Sequence, residues 1–223
     1  MSFEMLQMEV GMMLNFSTIV ASPQIGDCAV VDPAFEVDRL LREIERRGWR
    51  VTAILVTHTH HDHIDGVEAL AAATGAPAYV GAGELEALRR AAPKATLHPI
   101  EDGATLVIGG ERLTALATPG HTIDARSYYT GEAVATGDTL FVGGCGRTDF
   151  SGGDAPTLFG SLQRLATLPE ETRVYPGHDY GQTPTSTIGW EKATNPYLRC
   201  QTVEEFVALR TGKSPPRPVR GSR

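Results

Sequence analysis

The sequence predicts a single mixed α/β domain in which β-rich and helical stretches come in blocks. Three observations carry that expectation. The apolar, β-branched run Val51 to Val56 reads as a buried strand, and Phe35 to Arg47 just before it carries Val37, Leu40, Leu41 and Ile44 at helical spacing. From Ala95 to Ala135 the pattern turns mainly β, and helix returns only over Thr157 to Leu168. A doubly wound α/β protein would have kept alternating strand with helix.

Taken in order, Ile19 to Pro33 holds two short apolar runs split by the turn-like Ile25-Gly26-Asp27, an antiparallel pair ending at Val30-Val31-Asp32-Pro33. The helix over 35–47 follows, with Gly48 as its stop. Strand 51–56 delivers the chain into a loop, Thr57-His58-Thr59-His60-His61-Asp62-His63. Asp65 is placed to cap a helix over Gly66 to Ala73; a short strand at Ala78 to Val80 and a helix over Glu84 to Ala92 come next. Leu106 to Ile108 and Leu113 to Ala117 flank a Gly109-Gly110 hairpin turn, and strands at Ser127 to Thr130 and Ala133 to Thr136 follow. After the 157–168 helix, Arg173 to Tyr175 is a strand, Val203 to Leu209 a last helix, and the Pro- and Arg-rich segment 214–223 a frayed tail.

With 223 residues, 41% hydrophobic and 21% charged, the chain can bury a core as one domain, 1–223, without repeats or a linker. A net charge of -7 leaves no basic surplus for nucleic acid or an anionic membrane. Cys28, Cys145 and Cys200 are scattered and odd in number, which argues against a disulfide framework and for a cytoplasmic home. No secretory leader is visible before Val10, so the glycosylation-like Asn15-Phe16-Ser17 reads as chance. A homodimer is kept open as the assembly.

Chemistry concentrates in His58, His60, Asp62 and His63, grouped at the end of a strand. Imidazole and carboxylate donors without a grouped thiolate suit zinc, iron or manganese. Three further candidates each follow a glycine at an apparent strand end: His121 in Thr118-Pro119-Gly120-His121, Asp138 in Thr136-Gly137-Asp138, and His178 in Pro176-Gly177-His178. His61 and His98 read as ordinary surface or packing residues.

The pattern Thr-His-x-His-x-Asp-His at 57–63, with Pro-Gly-His-Thr at 119–122, Thr-Gly-Asp-Thr at 136–139 and Pro-Gly-His at 176–178, resembles the metallo-β-lactamase superfamily. That resemblance implies an αββα sandwich with ligands at one edge of its two sheets. Within the superfamily, Gly144-Cys145-Gly146-Arg147-Thr148-Asp149-Phe150, Tyr175 to Tyr180 and Ser186 to Pro196 look like the persulfide dioxygenases, although those usually carry alanine where Gly177 stands. Glyoxalase II shares much of the same pattern.

The two likenesses imply different chemistries. As a dioxygenase, the chain would hold one Fe(2+) through His58, His121 and Asp138 and oxidise glutathione persulfide with oxygen to sulfite and glutathione. His60, Asp62, His63 and His178 would then orient ligands from outside. As a glyoxalase II-like hydrolase of acyl-glutathione, it would hold two Zn(2+), one through His58, His60 and His121 and one through Asp62, His63 and His178, with Asp138 between them. Glyoxalase II carries a sizeable helical extension, whereas 45 residues follow His178 here, and on that ground the dioxygenase is the leading expectation. A scaffold protein that has lost its metal is disfavoured by the complete ligand set.

Arg147 is the candidate for a glutathione carboxylate, because a guanidinium can grip one with two parallel hydrogen bonds; its competing role is an ion pair with Asp149. Tyr180 is expected to direct its hydroxyl at substrate or oxygen, or else simply to pack its ring. Asp62 and Tyr180 are the candidate catalytic residues. Cys145 reads as a buried, inert thiol.

Overall fold

The structure, a computed structural model, describes residues 3–212; the predicted tail at 214–223 lies outside the described residues. Strands β1 (Glu4–Val10) and β2 (Asn15–Ser22) form an antiparallel hairpin, and β3 (Asp27–Val31) pairs antiparallel with β2. Helix α1 (Val37–Arg46) crosses to β4 (Arg50–Leu55), which lies parallel to β3. The short helical turn α2 (His61–Ile64) and helix α3 (Val67–Thr74) lead to β5 (Ala78–Val80), and α4 (Leu85–Ala91) leads to β6 (Leu97–Pro99). These six strands lie in sequence order in one sheet.

The second sheet begins as an antiparallel meander, β7 (Thr105–Ile108), β8 (Glu111–Ala117), β9 (Arg126–Tyr129) and β10 (Ala133–Gly137). A small hairpin, β11 (Leu140–Phe141) and β12 (Gly144–Cys145), precedes helix α5 (Ala155–Leu165). Strand β13 (Arg173–Pro176) then pairs parallel with β10, and β14 (Ser186–Thr187) completes the order β14-β13-β10-β9-β8-β7. Helices α6 (Ile188–Thr194) and α7 (Val203–Arg210) finish the described chain.

Strand residues alternate between two apolar environments, because successive side chains leave a strand on opposite faces. In β3, Cys28 and Val30 face α1, α3 and α4, while Ala29 and Val31 face the other sheet. In β10, Val134 packs with Leu158, Leu162 and Phe206 of α5 and α7, while Ala133 and Ala135 face inward. Three apolar layers between four layers of backbone make the αββα sandwich that the resemblance implied. Both faces of each sheet are covered, which explains why β2 and β10 are buried along their whole length.

Several expectations need correction. Residues 58–63 are not all loop: Asp62 and His63 sit on α2. Asp65 does not cap α3, since it closes α2 in a right-handed helical conformation, its N–H donating to the His61 carbonyl; Gly66 takes the cap position, where an extended side-chain cap was expected. Helix α5 starts at Ala155, two residues early, because Asp154 accepts from the Thr157 N–H, and it ends at Leu165 rather than 168. Strands β1, β6, β11, β12 and β14 and helix α6 were not singled out by pattern. The cysteines are unpaired, as expected, and no described helix is long and apolar enough to cross a membrane.

Leu162, fully buried between α5 and the outer face of the second sheet, should be replaceable without touching the opposite edge. Leu162→Ala should cost about 2–5 kcal/mol in urea unfolding, the cavity range for a buried leucine, with metal content unchanged.

Candidate metal centre

Four strand ends meet at one edge of the sandwich. The chain leaves β4 into His58 and His60, β8 into His121, β10 into Asp138 and β13 into His178, while α2 turns Asp62 and His63 back toward the same point. All seven residues proposed from sequence converge. His58 Nε2 and His121 Nε2 each lie 3.0 Å from His60 Nδ1. Beside them, His63 Nε2 and His178 Nε2 are 3.1 Å apart, and Asp62 Oδ2 lies 3.5 Å from the latter. Asp138 stands between the two groups: its Oδ1 is 3.3 Å from His63 Nε2, and its Oδ2 is 3.6 Å from His121 Nε2 and 3.4 Å from His178 Nε2.

The far nitrogens are already occupied. Nδ1 of His121 donates to the Arg147 carbonyl at 2.6 Å, and Nδ1 of His178 to the Met13 carbonyl at 3.0 Å. His63 Nδ1 donates to Asp32 Oδ2 at 3.0 Å, and His58 Nδ1 to Thr57 Oγ1, which itself donates to Asp32 Oδ2. Such bonds fix the orientation of each ring and turn its Nε2 toward the centre. Asn15 Nδ2 donates to both the carbonyl and Oδ2 of Asp62.

This constellation suits divalent metal. Asp138 Oδ1 is buried without a hydrogen-bond partner among the described residues, a costly state unless a positive charge faces it. Five imidazoles and two carboxylates form a hard-to-borderline donor set fit for zinc, iron or manganese. Burial pushes His58, His60 and His121 below the usual imidazole range, so these three are neutral and ready to ligate. His63 goes the other way: burial opposes its charge, but Asp138 and Asp32 outweigh burial and hold it well above the ordinary value. Burial likewise works against the Asp62 carboxylate, yet His63, the Asn15 amide and His178 keep it below the usual carboxyl range.

A cavity of about 290 Å³ opens over the centre, lined among others by Met13, Phe141, Arg147, Phe150 and Tyr180. Tyr180 stacks on His178 with ring centroids 4.5 Å apart and lies edge-on to Phe141, so its ring packs while the residue stays half exposed at the cavity. Arg147 reaches the cavity and also forks onto Asp149, Nε to Oδ1 at 2.9 Å and Nη2 to Oδ2 at 2.7 Å. Burial pushes the Cys145 thiol up to about 12, consistent with an inert residue. His61 is exposed, and His98 sits on β6 beside Tyr79.

Pattern reasoning missed Asp32, Asn15 and the Met13 carbonyl. Asp32 had a usable signal, since it ends a strand as the ligands do and precedes a proline. Its backbone is left-handed, φ 47°, a region that Asp and Asn tolerate better than most residues. Asp32→Asn keeps that tolerance but presents an amide where two donors now point. Metal affinity, measured by competition with a chelating dye, should fall about 10- to 100-fold, the usual result of losing a group that orients ligands; unchanged affinity would limit Asp32 to a backbone role.

Comparison with known proteins agrees with this geometry. The family model described as the metallo-beta-lactamase superfamily matches residues 13–178. A hydroxyacylglutathione hydrolase of Pseudomonas entomophila is 42% identical over 208 residues, covering 77% of this chain and 77% of that protein. A probable polyketide biosynthesis zinc-dependent hydrolase, BaeB of Bacillus velezensis, is 32% identical over 201 residues, covering 90% and 88%. The crystal structure of ETHE1 from Myxococcus xanthus superposes with a TM-score of 0.85 at 34% identity, covering 96% of this chain and 93% of that one. The chain belongs to the metallo-β-lactamase superfamily, as a metal-dependent enzyme of that fold.

Proposed function

We propose that this chain is a dinuclear metal hydrolase of thioesters, with zinc the first candidate for both ions. One observation carries the reading: the histidines that a single-iron site would use only for orientation turn a ring nitrogen into the centre, as the would-be iron ligands do. His60, His63 and His178 aim a ring nitrogen into the centre, and the orienting bonds to the ligands' far nitrogens come instead from Asp32, Thr57 and the Arg147 and Met13 carbonyls. His58, His60 and His121 would hold one ion, Asp62, His63 and His178 the other, and Asp138 would face both.

Gly177 supports the same reading. A Cβ there would stand 2.5 Å from Asp138 Oδ1 and 2.9 Å from His63 Cε1, too close for either to stay. Glycine therefore lets Asp138 lean toward the His63 and His178 side. The likeness to the hydroxyacylglutathione hydrolase and to the zinc-dependent hydrolase points in the same direction.

Two bound divalent ions would acidify a water and polarise a thioester carbonyl. The protein's own part is to place and protonate. Asp62, anchored through Oδ2 by Asn15 and held below the usual carboxyl range, is an anion beside the centre that would accept the proton leaving the attacking water. Tyr180, fixed by its stack on His178, lines the cavity where its hydroxyl would meet substrate, and Phe141 and Phe150 help exclude bulk water. Arg147 lines the cavity and would meet the part of the substrate beyond the acyl group.

The second reading, a persulfide dioxygenase with one Fe(2+) on His58, His121 and Asp138 and oxygen as co-substrate, is supported by the likeness to ETHE1. Asp62→Ala separates the two. In the hydrolase, Asp62 is a ligand and its loss should lower bound metal from near two to near one per chain, with circular dichroism unchanged. A wild type carrying about one iron, and a variant that keeps it while losing about 10- to 100-fold in persulfide-dependent oxygen uptake, would establish the dioxygenase instead.

A further inference from the structure

The cavity mouth says more about the substrate than the ligands do. Three large side chains at its rim are about half exposed although they border a binding site: Met13 at 45%, Phe150 at 44% and Tyr180 at 55%. Phe141 continues the apolar wall inward, edge-on to Tyr180 and to His178. Against this wall stands one cation, Arg147, the sole lysine or arginine lining the cavity among the described residues.

That cation is engaged on two sides. Its fork is filled by both oxygens of Asp149, and its flat face lies 4.5 Å from the centre of the Phe150 ring. Its backbone cannot swing away to a better position, because the Arg147 carbonyl is held by His121 Nδ1. The adjacent Gly146 is pressed against the Asp138 carbonyl, 2.0 Å from where a Cβ would stand. Only the Arg147 side chain is free to rearrange. A substrate carboxylate would have to displace Asp149 and then remain beside it, and like charges in that position are repulsive.

Resting on the hydrolase reading, we infer that the mouth selects thioesters of an apolar acyl chain on a small neutral thiol, and that Asp149 is the residue that disfavours glutathione conjugates. Glutathione carries two carboxylates and one ammonium; among the described residues that line the cavity the one Lys or Arg side chain, Arg147, is already paired with Asp149. An apolar chain, in contrast, would cover Met13, Phe150 and Tyr180 and remove their surface from water. Hydrolysis of such a substrate consumes one water and returns the acid and the neutral thiol. The reaction that supplies it must therefore be an acyl transfer onto a thiol that bears no carboxylate at its sulfur end.

Binding tests this apart from turnover. Calorimetry on the zinc-loaded, full-length protein would compare two non-hydrolysable thioethers with the same chain, S-hexyl-N-acetylcysteamine and S-hexylglutathione. The neutral thioether should bind about tenfold more tightly, and Asp149→Asn, which removes the competing carboxylate, should narrow that ratio to about unity by strengthening S-hexylglutathione. Tighter binding of S-hexylglutathione by the wild type, equal binding of the two, or a ratio that Asp149→Asn leaves in place would each overturn the inference. Turnover of the two S-hexanoyl thioesters is measured separately. Selective binding of the neutral thioether with no hydrolysis of either ester would sink the hydrolase reading while leaving the selectivity of the mouth intact.

Discussion

The Asp32 carboxylate is the interaction on which the rest of the centre depends. Its Oδ1 accepts from the Thr57 N–H at 2.7 Å, and its Oδ2 accepts from Thr57 Oγ1 at 2.6 Å and from His63 Nδ1 at 3.0 Å. Through Thr57 it sets His58, and directly it sets His63, so one buried anion orients a member of each ligand group. It also joins the end of β3 to the end of β4, the parallel pair whose register brings the strand ends level. A carboxylate this deeply buried is tolerable because both of its oxygens meet donors, one on Oδ1 and two on Oδ2.

The electrostatics of the centre follow from crowding five imidazoles and two carboxylates into one buried site. Burial moves His58, His60 and His121 below the usual imidazole range, whereas for His63 the carboxylates of Asp138 and Asp32 outweigh burial and move it above that range. For Asp138, burial opposes the charge, yet His63, His178 and His58 hold its carboxyl well below the usual carboxylate range.

Much of this was legible in the sequence because ligand residues are local signals. His58, His60, Asp62 and His63 are neighbours in the chain, and His121, Asp138 and His178 each follow a glycine at a strand end. The buried strands were equally plain, since double-sided burial writes continuous apolar runs such as Val51 to Val56. What stayed hidden depends on tertiary contact. Strand β1 mixes Glu4, Gln7 and Glu9 with its apolar residues because it is an edge strand, and α6 is too short to show a period. Asn15 resembled a glycosylation acceptor, and only the fold brings its amide to Asp62, 47 residues away. The Met13 carbonyl is backbone, which no residue type can reveal. The preference for a single iron rested on chain length and on resemblance, neither of which reports where ring nitrogens point.

The direction of those nitrogens makes the number of metal ions the central quantity. It is measured most directly by anomalous X-ray diffraction at the zinc edge from crystals of the zinc-loaded protein. Two peaks are expected, one beside His58, His60 and His121 and the other beside Asp62, His63 and His178, with Asp138 between them. A single peak beside His58, His121 and Asp138, with His60, His63 and His178 bonded to protein groups alone, would contradict the dinuclear centre.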